Sequence, residues 1–297
     1  MVLIAAGTLR MGSDEFYPDE RPVHEREIAG FLLDRCEVTN AEYAAFVDET
    51  GYVTIAERDL DPRAFPGADP ADLVPGAMVF TPTAGPVDLG DWRNWWRWQP
   101  GASWRRPFGP DSSIEDRMRH PVVHVAYEDA VAYATWAGAR LPTEAEHEYA
   151  ARGGLVGARF AWGDDPYPGG AAQANSWLGR FPYDNQGVGG TAAVGSYPAN
   201  GYGLFDMTGN VWEWTSDYYT PRHLRLSDKV VDPGRRESLL ATASAQEGFP
   251  AIPRRVLKGG SHLCSPEYCL RFRPAARSPQ AEDTGMSHIG FRCARDA

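Results

Sequence analysis

Residues 255–278 read Arg255-Val-Leu-Lys-Gly-Gly-Ser-His-Leu-Cys264-Ser-Pro-Glu-Tyr-Cys269-Leu-Arg-Phe-Arg-Pro-Ala-Ala-Arg277-Ser278, and they hold two of the four cysteines of the chain. Gly259 and Gly260 before the first cysteine and Pro266 between the two exclude a regular helix, because glycine frees φ and proline lacks a backbone donor. A turn through residues 265–267 would bring both sulfur atoms to one point. The stretch therefore predicts a bent loop that carries a disulfide, a two-thiolate metal site, or each at a different stage.

The residues around the two cysteines favour a reactive thiol pair over a purely structural one. Arg271, Arg273 and Arg277 follow the second cysteine and supply positive charge of the kind that favours thiolates. A closed zinc site needs four ligands, and only His262 is a natural third ligand here, so structural zinc is a weak interpretation. Two soft thiolates suit a soft d10 ion such as Cu(I) better.

The composition predicts a compact, loop-rich protein with short elements. Its 297 residues include 31 glycines, 24 prolines and ten tryptophans spread along the chain, which leaves little room for long helices or strands. We expect an α+β fold with low regular secondary structure, built as a single domain over residues 1–297. The hydrophobic content of 43% is enough for a substantial core.

Charge and cysteine content limit the function classes. A net charge of −11 argues against nucleic acid and against anionic membrane surfaces as partners. Four cysteines are too few for a disulfide scaffold. With no apolar leader or membrane-spanning stretch visible in the sequence, we expect a cytoplasmic, reducing location in which a thiol pair stays reduced.

Local signals place the regular elements. Residues 2–12, 31–34 and 120–126 are predicted as strands. Capping boxes at Thr39–Glu42 and Thr143–Glu146 predict helices that end at Gly51 and Gly153, and a further helix is predicted over residues 128–136. Residues 218–253 are polar and without a pattern, which predicts a surface excursion.

Residues 52–110 are rich in proline, glycine and aspartate, and five of the ten tryptophans lie between Trp92 and Trp104. Rings of this density either replace a regular core or line a groove for an extended peptide, since aromatic rings pack well on proline and on arginine side chains. We interpret most of them as core and expect a few to line a groove.

Several motifs together resemble those of the formylglycine-generating enzymes, the sulfatase-modifying factors, over nearly the whole chain. Besides the segment from Lys258 to Ser278, they are Met11-Gly-Ser, Glu37-Val-Thr-Asn40, Thr50-Gly-Tyr-Val-Thr54, His120-Pro-Val-Val-His124, Trp136-Ala-Gly-Ala-Arg-Leu-Pro-Thr-Glu-Ala-Glu146, Asn200-Gly-Tyr-Gly-Leu204, Gly209-Asn-Val-Trp-Glu-Trp214 and His288-Ile-Gly-Phe-Arg-Cys293. The resemblance implies the loop-rich fold of that family with its C-type-lectin-like core. It also implies an oxidoreductase that uses O2 and Cu(I) to convert the cysteine of a Cys-x-Pro-x-Arg motif in an unfolded or nascent sulfatase to Cα-formylglycine.

The same resemblance assigns roles to individual residues. Cys264 and Cys269 would hold Cu(I), and the substrate thiol would add a third sulfur. Ser261 and Trp212 fall at family positions near the bound substrate or oxygen. The residues that would bind the substrate peptide are Ala56, Asp61, Trp95, Trp98 and Tyr268.

Within that set, Asp61 would bind the substrate arginine, and the two tryptophans would lie near the substrate proline. The chain departs from the family pattern at Pro62, where serine is frequent, and at Trp98, which replaces a smaller residue. The preferred peptide could therefore differ.

Two loops rich in oxygen donors are candidates for structural Ca2+, which takes six to eight oxygen ligands. From the residues alone, the Asp206 and Glu213 carboxylates indicate a hydrogen-bonded loop. The resemblance implies one calcium site at Asp206, Gly209, Val211 and Glu213. It implies another at Asn175 and Ser176, although residues 182–190 are shorter than the family's equivalent and lack its carboxylate.

The remaining cysteines are predicted to be reduced. Cys293 matches a family position that elsewhere forms a disulfide, but Ala134 occupies the partner position, and Pro274 replaces another family cysteine. Cys36 has no family counterpart, and a bridge between it and Cys293 remains an alternative.

Two other functions compete with the oxidase. Iron(II) sulfoxide synthases of the same superfamily carry a His-x3-His-x-Glu ligand set, whereas here Val125-Ala126 follows His124, so two strand histidines are the better interpretation. A non-catalytic C-type-lectin-like module would have no need of the cysteine pair. We expect a monomer.

Overall fold

The computed structural model describes residues 1–64, 67, 69, 73–223, 236, 238 and 252–297. Most of the surface excursion predicted over residues 218–253 lies outside these ranges. Its described beginning differs from that prediction, because the side chains of Tyr218, Tyr219 and Thr220 are buried.

Three α-helices are present in the described part, and all three were predicted: α1 (Asn40–Thr50), α2 (Tyr127–Trp136) and α3 (Glu144–Arg152). Both predicted capping boxes form, since the Thr39 and Thr143 hydroxyls accept the backbone N–H of the glutamate three residues on. Gly51 and Gly153 end α1 and α3 with φ of 66° and 57°, a left-handed conformation that glycine adopts without steric cost.

Short strands form small sheets rather than one large one. A three-stranded antiparallel sheet joins β1 (Val2–Ile4), β4 (Phe31–Leu33) and β11 (Ala294–Asp296), while β2 (Gly7–Met11) pairs with β3 (His24–Ile28) and β5 (Gly76–Phe80) with β6 (Trp96–Pro100). The sheet that carries the candidate site has the order β10-β7-β8-β9, from Ile289–Gly290, Trp212–Tyr218, Arg254–Lys258 and Arg277–Ala281. The predicted α+β, loop-rich fold class is confirmed.

Two strand predictions were wrong. Residues 2–12 form two strands in different sheets instead of one. Residues 120–126 form only an isolated bridge between Pro121 and Thr39, and His124 has φ of 61°, which a strand does not allow. The valines in this segment are buried because it runs between two other loops, with the Val122 N–H bonded to Val38 O and the His124 N–H to Met286 O. Burial, not strand pairing, explains the apolar pattern.

The tryptophan-rich region contains both core and surface rings. Trp95 and Trp104 are fully buried, whereas Trp92 and Trp98 are 54% and 43% exposed. Trp104 belongs to the main core, which includes Tyr43 of α1 and Trp214 of β7. The expectation that aromatic rings take the place of a regular core is confirmed for the buried Trp95 and Trp104.

A buried ion-pair cluster fixes α3 against β8, the strand that leads into the cysteine loop. Glu148 accepts hydrogen bonds from Lys258 Nζ at 3.0 Å, Arg152 at 2.7 Å and the Gly12 N–H at 2.8 Å. Burial alone would raise the pKa of Glu148, but the charges of Lys258 and Arg152 outweigh it and lower that pKa to about 2. The carboxylate is therefore fully ionised at neutral pH.

We expect this cluster to make the protein acid-sensitive. Because the pKa of Glu148 is lower in the folded state, its stabilising effect is complete above the ordinary glutamate pKa of 4.5 and is lost as pH falls towards 2. The contribution is roughly 3 kcal/mol at neutral pH. Urea unfolding at several pH values between 5 and 2.5 should give a shallower pH slope for Glu148→Gln than for the wild type. Glu128→Gln, at an exposed position, is the control, and equal slopes in all three proteins would contradict the prediction.

Candidate active site

The cysteine loop begins where β8 ends at Lys258. Gly259 and Gly260 have φ of 86° and 75°, and a Cβ on Gly260 would lie 2.6 Å from the Arg271 carbonyl oxygen. Both features require glycine, because other residues rarely adopt this conformation and a side-chain carbon would overlap the backbone. The two glycines thus let the chain reverse and pack against the residues that follow the second cysteine.

The predicted turn brings the two sulfur atoms together. The backbone N–H groups of Tyr268 and Cys269 donate to Ser265 O at 3.1 and 2.7 Å, and the Cys264 N–H donates to Ser261 O at 2.9 Å. The two Sγ atoms are 3.5 Å apart, well beyond the bond length of about 2.05 Å in a disulfide. Both are free thiols, so the disulfide alternative is not the state of this structure.

The two thiols differ in acidity. Burial disfavours the Cys264 thiolate, but hydrogen bonds from Cys269 and the Ser261 N–H, together with the Arg271 charge, lower its pKa overall. The pKa of Cys269 is raised, first by its hydrogen bond to Cys264 and then by burial. The pKa of Cys264 is thus shifted towards ionisation and that of Cys269 away from it.

Of the three arginines expected to favour thiolates, Arg271 is the one that lowers the pKa of Cys264. Arg273 and Arg277 are buried in ion pairs with Glu20 and Glu144. Each of these two positive charges is neutralised by its own carboxylate. Arg273 and Arg277 therefore stabilise the fold and do not favour the thiolates as the sequence predicted.

The cysteine pair fits a soft ion. It offers two sulfur donors at one point, and Cys264 is buried while Cys269 remains partly exposed, so a ligand can approach from one side. Ser261 is buried beside the pair, with its N–H directed at Cys264 Sγ at 3.4 Å. Trp212, at the start of β7, packs in the same core cluster as Cys264. The structure thus brings Ser261, Cys264 and Cys269 together, while Trp212 shares the main core with Cys264.

Three aromatic residues form a wall beside Cys269. The Tyr268 ring is 38% exposed and stacks parallel on Phe181 with centroids 4.5 Å apart. The buried Trp95 ring meets Tyr268 edge-on at 5.5 Å. Trp95 and Tyr268, predicted separately as substrate-binding residues, are therefore neighbours, and Phe181 is a third member that the sequence did not indicate.

The other predicted substrate residues lie elsewhere in the described structure. Ala56 packs in a separate small cluster with Ala77 and Val79. Asp61 is half exposed and binds the Arg63 guanidinium at 2.7 Å, which lowers its pKa. Trp98 lies on β6 and donates to Val74 O. No contact recorded among the described residues joins these three to the thiol pair.

The residues expected to form a calcium site at 206–213 are committed to protein partners. Both Glu213 carboxylate oxygens accept hydrogen bonds from Arg292 at 2.7 Å, and His147 Nε2 donates to one of them at 3.2 Å. Asp206 Oδ2 accepts the Gly195 N–H at 2.6 Å. Within the described ranges no group of three or more His, Cys, Asp or Glu side chains could hold a metal ion.

The predicted calcium ligands therefore do not fit an ion as they are arranged here. An ion at Glu213 would lie beside the buried positive charge of Arg292, which already binds both carboxylate oxygens. Val211 and Gly209 belong to the same loop, where the Gly209 N–H donates to Gly259 O at 2.9 Å. Calcium at this site stays a prediction.

The other predicted calcium segment is held by hydrogen bonds to Asn210. The Asn175 Nδ2 donates to Asn210 Oδ1 at 3.1 Å, and the Asn210 N–H donates to Asn175 O at 2.8 Å. Ser176 is buried next to them, and the Trp177 N–H donates to Cys264 O at 2.9 Å. Asn210 O also accepts from His262 N and Nδ1. This segment supports the cysteine loop directly, and a calcium ion there also stays a prediction.

The two remaining cysteines are free thiols, which agrees with the prediction that they are reduced. Burial raises the pKa of Cys36 to about 11 and also raises that of Cys293. Neither thiol is therefore ionised at neutral pH, and the Cys36–Cys293 bridge is not formed in this structure.

The chain thus combines a loop-rich α+β fold with two closely spaced, free cysteines. The family model described as "Sulfatase-modifying factor enzyme 1-like domain" matches residues 1–297. The chain is 58% identical to the formylglycine-generating enzyme of Mycobacterium tuberculosis, covering 100% of this chain and 97% of the relative. It is 46% identical to that of Streptomyces coelicolor, covering 100% and 89%.

The chain therefore belongs to the formylglycine-generating enzyme family. Its fold is similar to that of PvdO from Pseudomonas aeruginosa, with a TM-score of 0.59 at 24% identity over 99% of this chain and 93% of PvdO. The family resemblance noted in the sequence is confirmed. The single-domain organisation stays a prediction.

Proposed function

We propose that this protein oxidises the cysteine of a Cys-x-Pro-x-Arg motif in a sulfatase polypeptide to Cα-formylglycine, using O2 and Cu(I) held by Cys264 and Cys269. The single observation that carries the proposal is the 3.5 Å separation of two free sulfur atoms, one of them partly exposed. The names of the full-length relatives support the same activity.

The overall reaction needs an external reductant. The substrate CH2–SH group loses its sulfur as hydrogen sulfide and becomes an aldehyde, a two-electron oxidation of the carbon. O2 takes up four electrons, so two thiols supply the other two electrons and two protons and leave as a disulfide. One water is formed, which balances oxygen and hydrogen. Bound Cu(I) would supply the one-electron chemistry that allows O2 to react at a thiolate.

The chain's own residues would bind and orient the peptide. Cys269 is the exposed member of the pair, so the substrate sulfur would approach on its side. The partly exposed ring of Tyr268, which packs against the buried Trp95 and Phe181, offers an aromatic surface on which a proline ring packs well. Ser261 and Trp212 would shield the pair from bulk water, since both are buried.

Asp61 is proposed to bind the substrate arginine. Its present partner is Arg63, whose side chain is 91% exposed, so a guanidinium already sits where the substrate's would bind. Exchanging one exposed ion pair for another changes affinity little, because solvent screens both pairs. Asp61 would therefore help select the peptide without dominating its affinity, and Ala56 and Trp98 would shape other parts of the groove.

The decisive test is turnover of a synthetic peptide. The protein is loaded with Cu(I) and incubated with a Cys-x-Pro-x-Arg peptide, O2 and a thiol reductant, and the product is identified by mass spectrometry. We expect an aldehyde that reacts with a hydrazide probe. A peptide with serine in place of cysteine is the control. If the cysteine peptide returns unchanged, the proposed activity is refuted.

An iron-dependent sulfoxide synthase is the less favoured alternative. His124 is fully buried and its Nε2 faces Pro107 O at 2.8 Å, while His120 Nδ1 faces Thr191 Oγ1 at 3.0 Å. The two histidines thus bond to different partners and do not converge. A non-catalytic module would give no reason for two reduced thiols at this distance.

The proposed partner is an unfolded or nascent sulfatase chain, because the motif must be extended to reach the thiol pair. We also propose a cytoplasmic monomer. Among the residues that the structure describes, no helix has both the length and the apolar character needed to cross a bilayer.

A further inference from the structure

Tyr17 lies against the backbone that follows Cys269, although the two are far apart in sequence. Its hydroxyl oxygen accepts the Leu270 N–H at 3.1 Å, across 253 positions. The Arg271 guanidinium stacks on its ring, 4.0 Å from the centroid. One half-buried side chain thus contacts both residues after the second cysteine.

The other hydrogen bonds of this backbone are local. The Cys269 N–H donates to Ser265 O at 2.7 Å, and the Arg271 N–H donates to Cys269 O at 2.8 Å. Such bonds fix the shape of the turn. Longer-range bonds hold the loop before Cys269, where the Trp177 N–H donates to Cys264 O and the His262 N–H to Asn210 O, but they do not reach the backbone after Cys269. Tyr17 supplies a contact from a separate segment, and Asp19, two residues on, holds Arg271 at 3.2 Å.

This segment is itself firmly anchored. Glu20 is buried and binds Arg273, and the Asp19 carbonyl accepts a hydrogen bond from Arg277 at 3.1 Å. Tyr17 is therefore presented to the loop from a rigid support.

We propose that Tyr17 is a positioning residue for the thiol pair. By accepting the Leu270 N–H and stacking under Arg271, it keeps Cys269 Sγ next to Cys264 Sγ and the arginine beside both. The catalytic consequence rests on the proposed function, whereas the placement of the sulfurs does not. A purely structural role would instead lower thermal stability without changing how the two sulfurs meet.

The test measures the sulfur placement directly in the metal-free protein. Diamide closes a disulfide between Cys264 and Cys269 at a rate that depends on how often the two sulfurs meet. Peptide mapping by mass spectrometry identifies that bond. For Tyr17→Phe we expect closure to slow roughly fivefold, the factor that one average hydrogen bond represents. Tyr17→Leu should slow it further, because the stacking on Arg271 is lost as well.

Activity provides the second measurement. In Tyr17→Phe, kcat for the Cys-x-Pro-x-Arg peptide should fall by a similar factor while KM stays unchanged, since the hydroxyl faces the loop backbone. Tyr202→Phe removes a hydroxyl from a tyrosine that packs on Tyr149, away from the loop, and should behave as the wild type. Its melting temperature and that of Tyr17→Phe should agree closely.

Disulfide closure at the wild-type rate in both Tyr17 variants would overturn the proposal, as would an equal slowing in Tyr202→Phe. The oxidase function and the positioning role of Tyr17 can be refuted independently of each other. If the wild type leaves the peptide unchanged, the oxidase function is refuted, and the closure rates still decide whether Tyr17 positions the sulfurs.

Discussion

Cys269→Ser should reduce formylglycine formation to background. Serine keeps the size of the side chain and its place in the turn, but the hard oxygen is a poor ligand for a soft monovalent ion. The serine hydroxyl can still donate a hydrogen bond to Cys264 Sγ, so the substitution tests the second sulfur donor more than the hydrogen bond. The measurement is the initial rate of aldehyde formation from the Cys-x-Pro-x-Arg peptide at saturating Cu(I) and O2.

The chain offers matched controls for this substitution. Cys36→Ser and Cys293→Ser change thiols that lie outside the pair, and both variants should retain activity if they fold. Circular dichroism should show that Cys269→Ser keeps the native fold, because the site is partly exposed. Near-normal turnover by Cys269→Ser would remove the basis for assigning this thiol as a ligand.

Arg273→Met should lower the free energy of unfolding more than any other single substitution proposed for this protein. Arg273 and Glu20 form a two-pronged ion pair in which both side chains are almost completely buried. Removing the arginine leaves a buried carboxylate without its cation, which costs about 3–5 kcal/mol. Chemical denaturation should show a midpoint shift of this size, and poor expression is the extreme form of the same result.

A second substitution separates the unpaired charge from lost packing. Combining Glu20→Gln with Arg273→Met removes the orphaned charge, so the double variant should recover much of the lost stability. The pair of Asp116 and Arg117, whose side chains are 73% and 32% exposed, serves as the comparison, since solvent screens its attraction and Arg117→Met should change stability far less. If Arg273→Met and Arg117→Met lowered the free energy of unfolding equally, burial would not determine how much these ion pairs stabilise the protein.

Much of the site was predictable because its geometry is local. Gly259, Gly260 and Pro266 determine where the loop bends, and the five-residue spacing of the cysteines determines that a turn joins them. The capping boxes at Thr39 and Thr143 also act within four residues, so the helix starts follow from the sequence alone. In each case the residues that set the structure are neighbours in the chain.

The parts that escaped prediction depend on long-range contacts. The valines at 122–125 have the composition of a strand, but their burial comes from loops that pack on either side. The sequence could not indicate that Glu20 neutralises Arg273 or that Phe181 stacks on Tyr268. For Glu213, the resemblance predicted a metal ligand, while the distant Arg292 occupies both of its oxygens. The ion-pair partner of each charged side chain is visible only in the folded structure.

The contact between Tyr17 and Leu270 has a consequence for how the protein is made. Ribosomes release the amino-terminal segment first, and the loop that it supports emerges only when synthesis is almost finished. A partly synthesised chain therefore contains Tyr17 before Cys264 and Cys269 are made. The two cysteines can meet the segment that holds Tyr17 as soon as they leave the ribosome. The amino-terminal support of the cysteine loop is thus synthesised before the two cysteines that it holds.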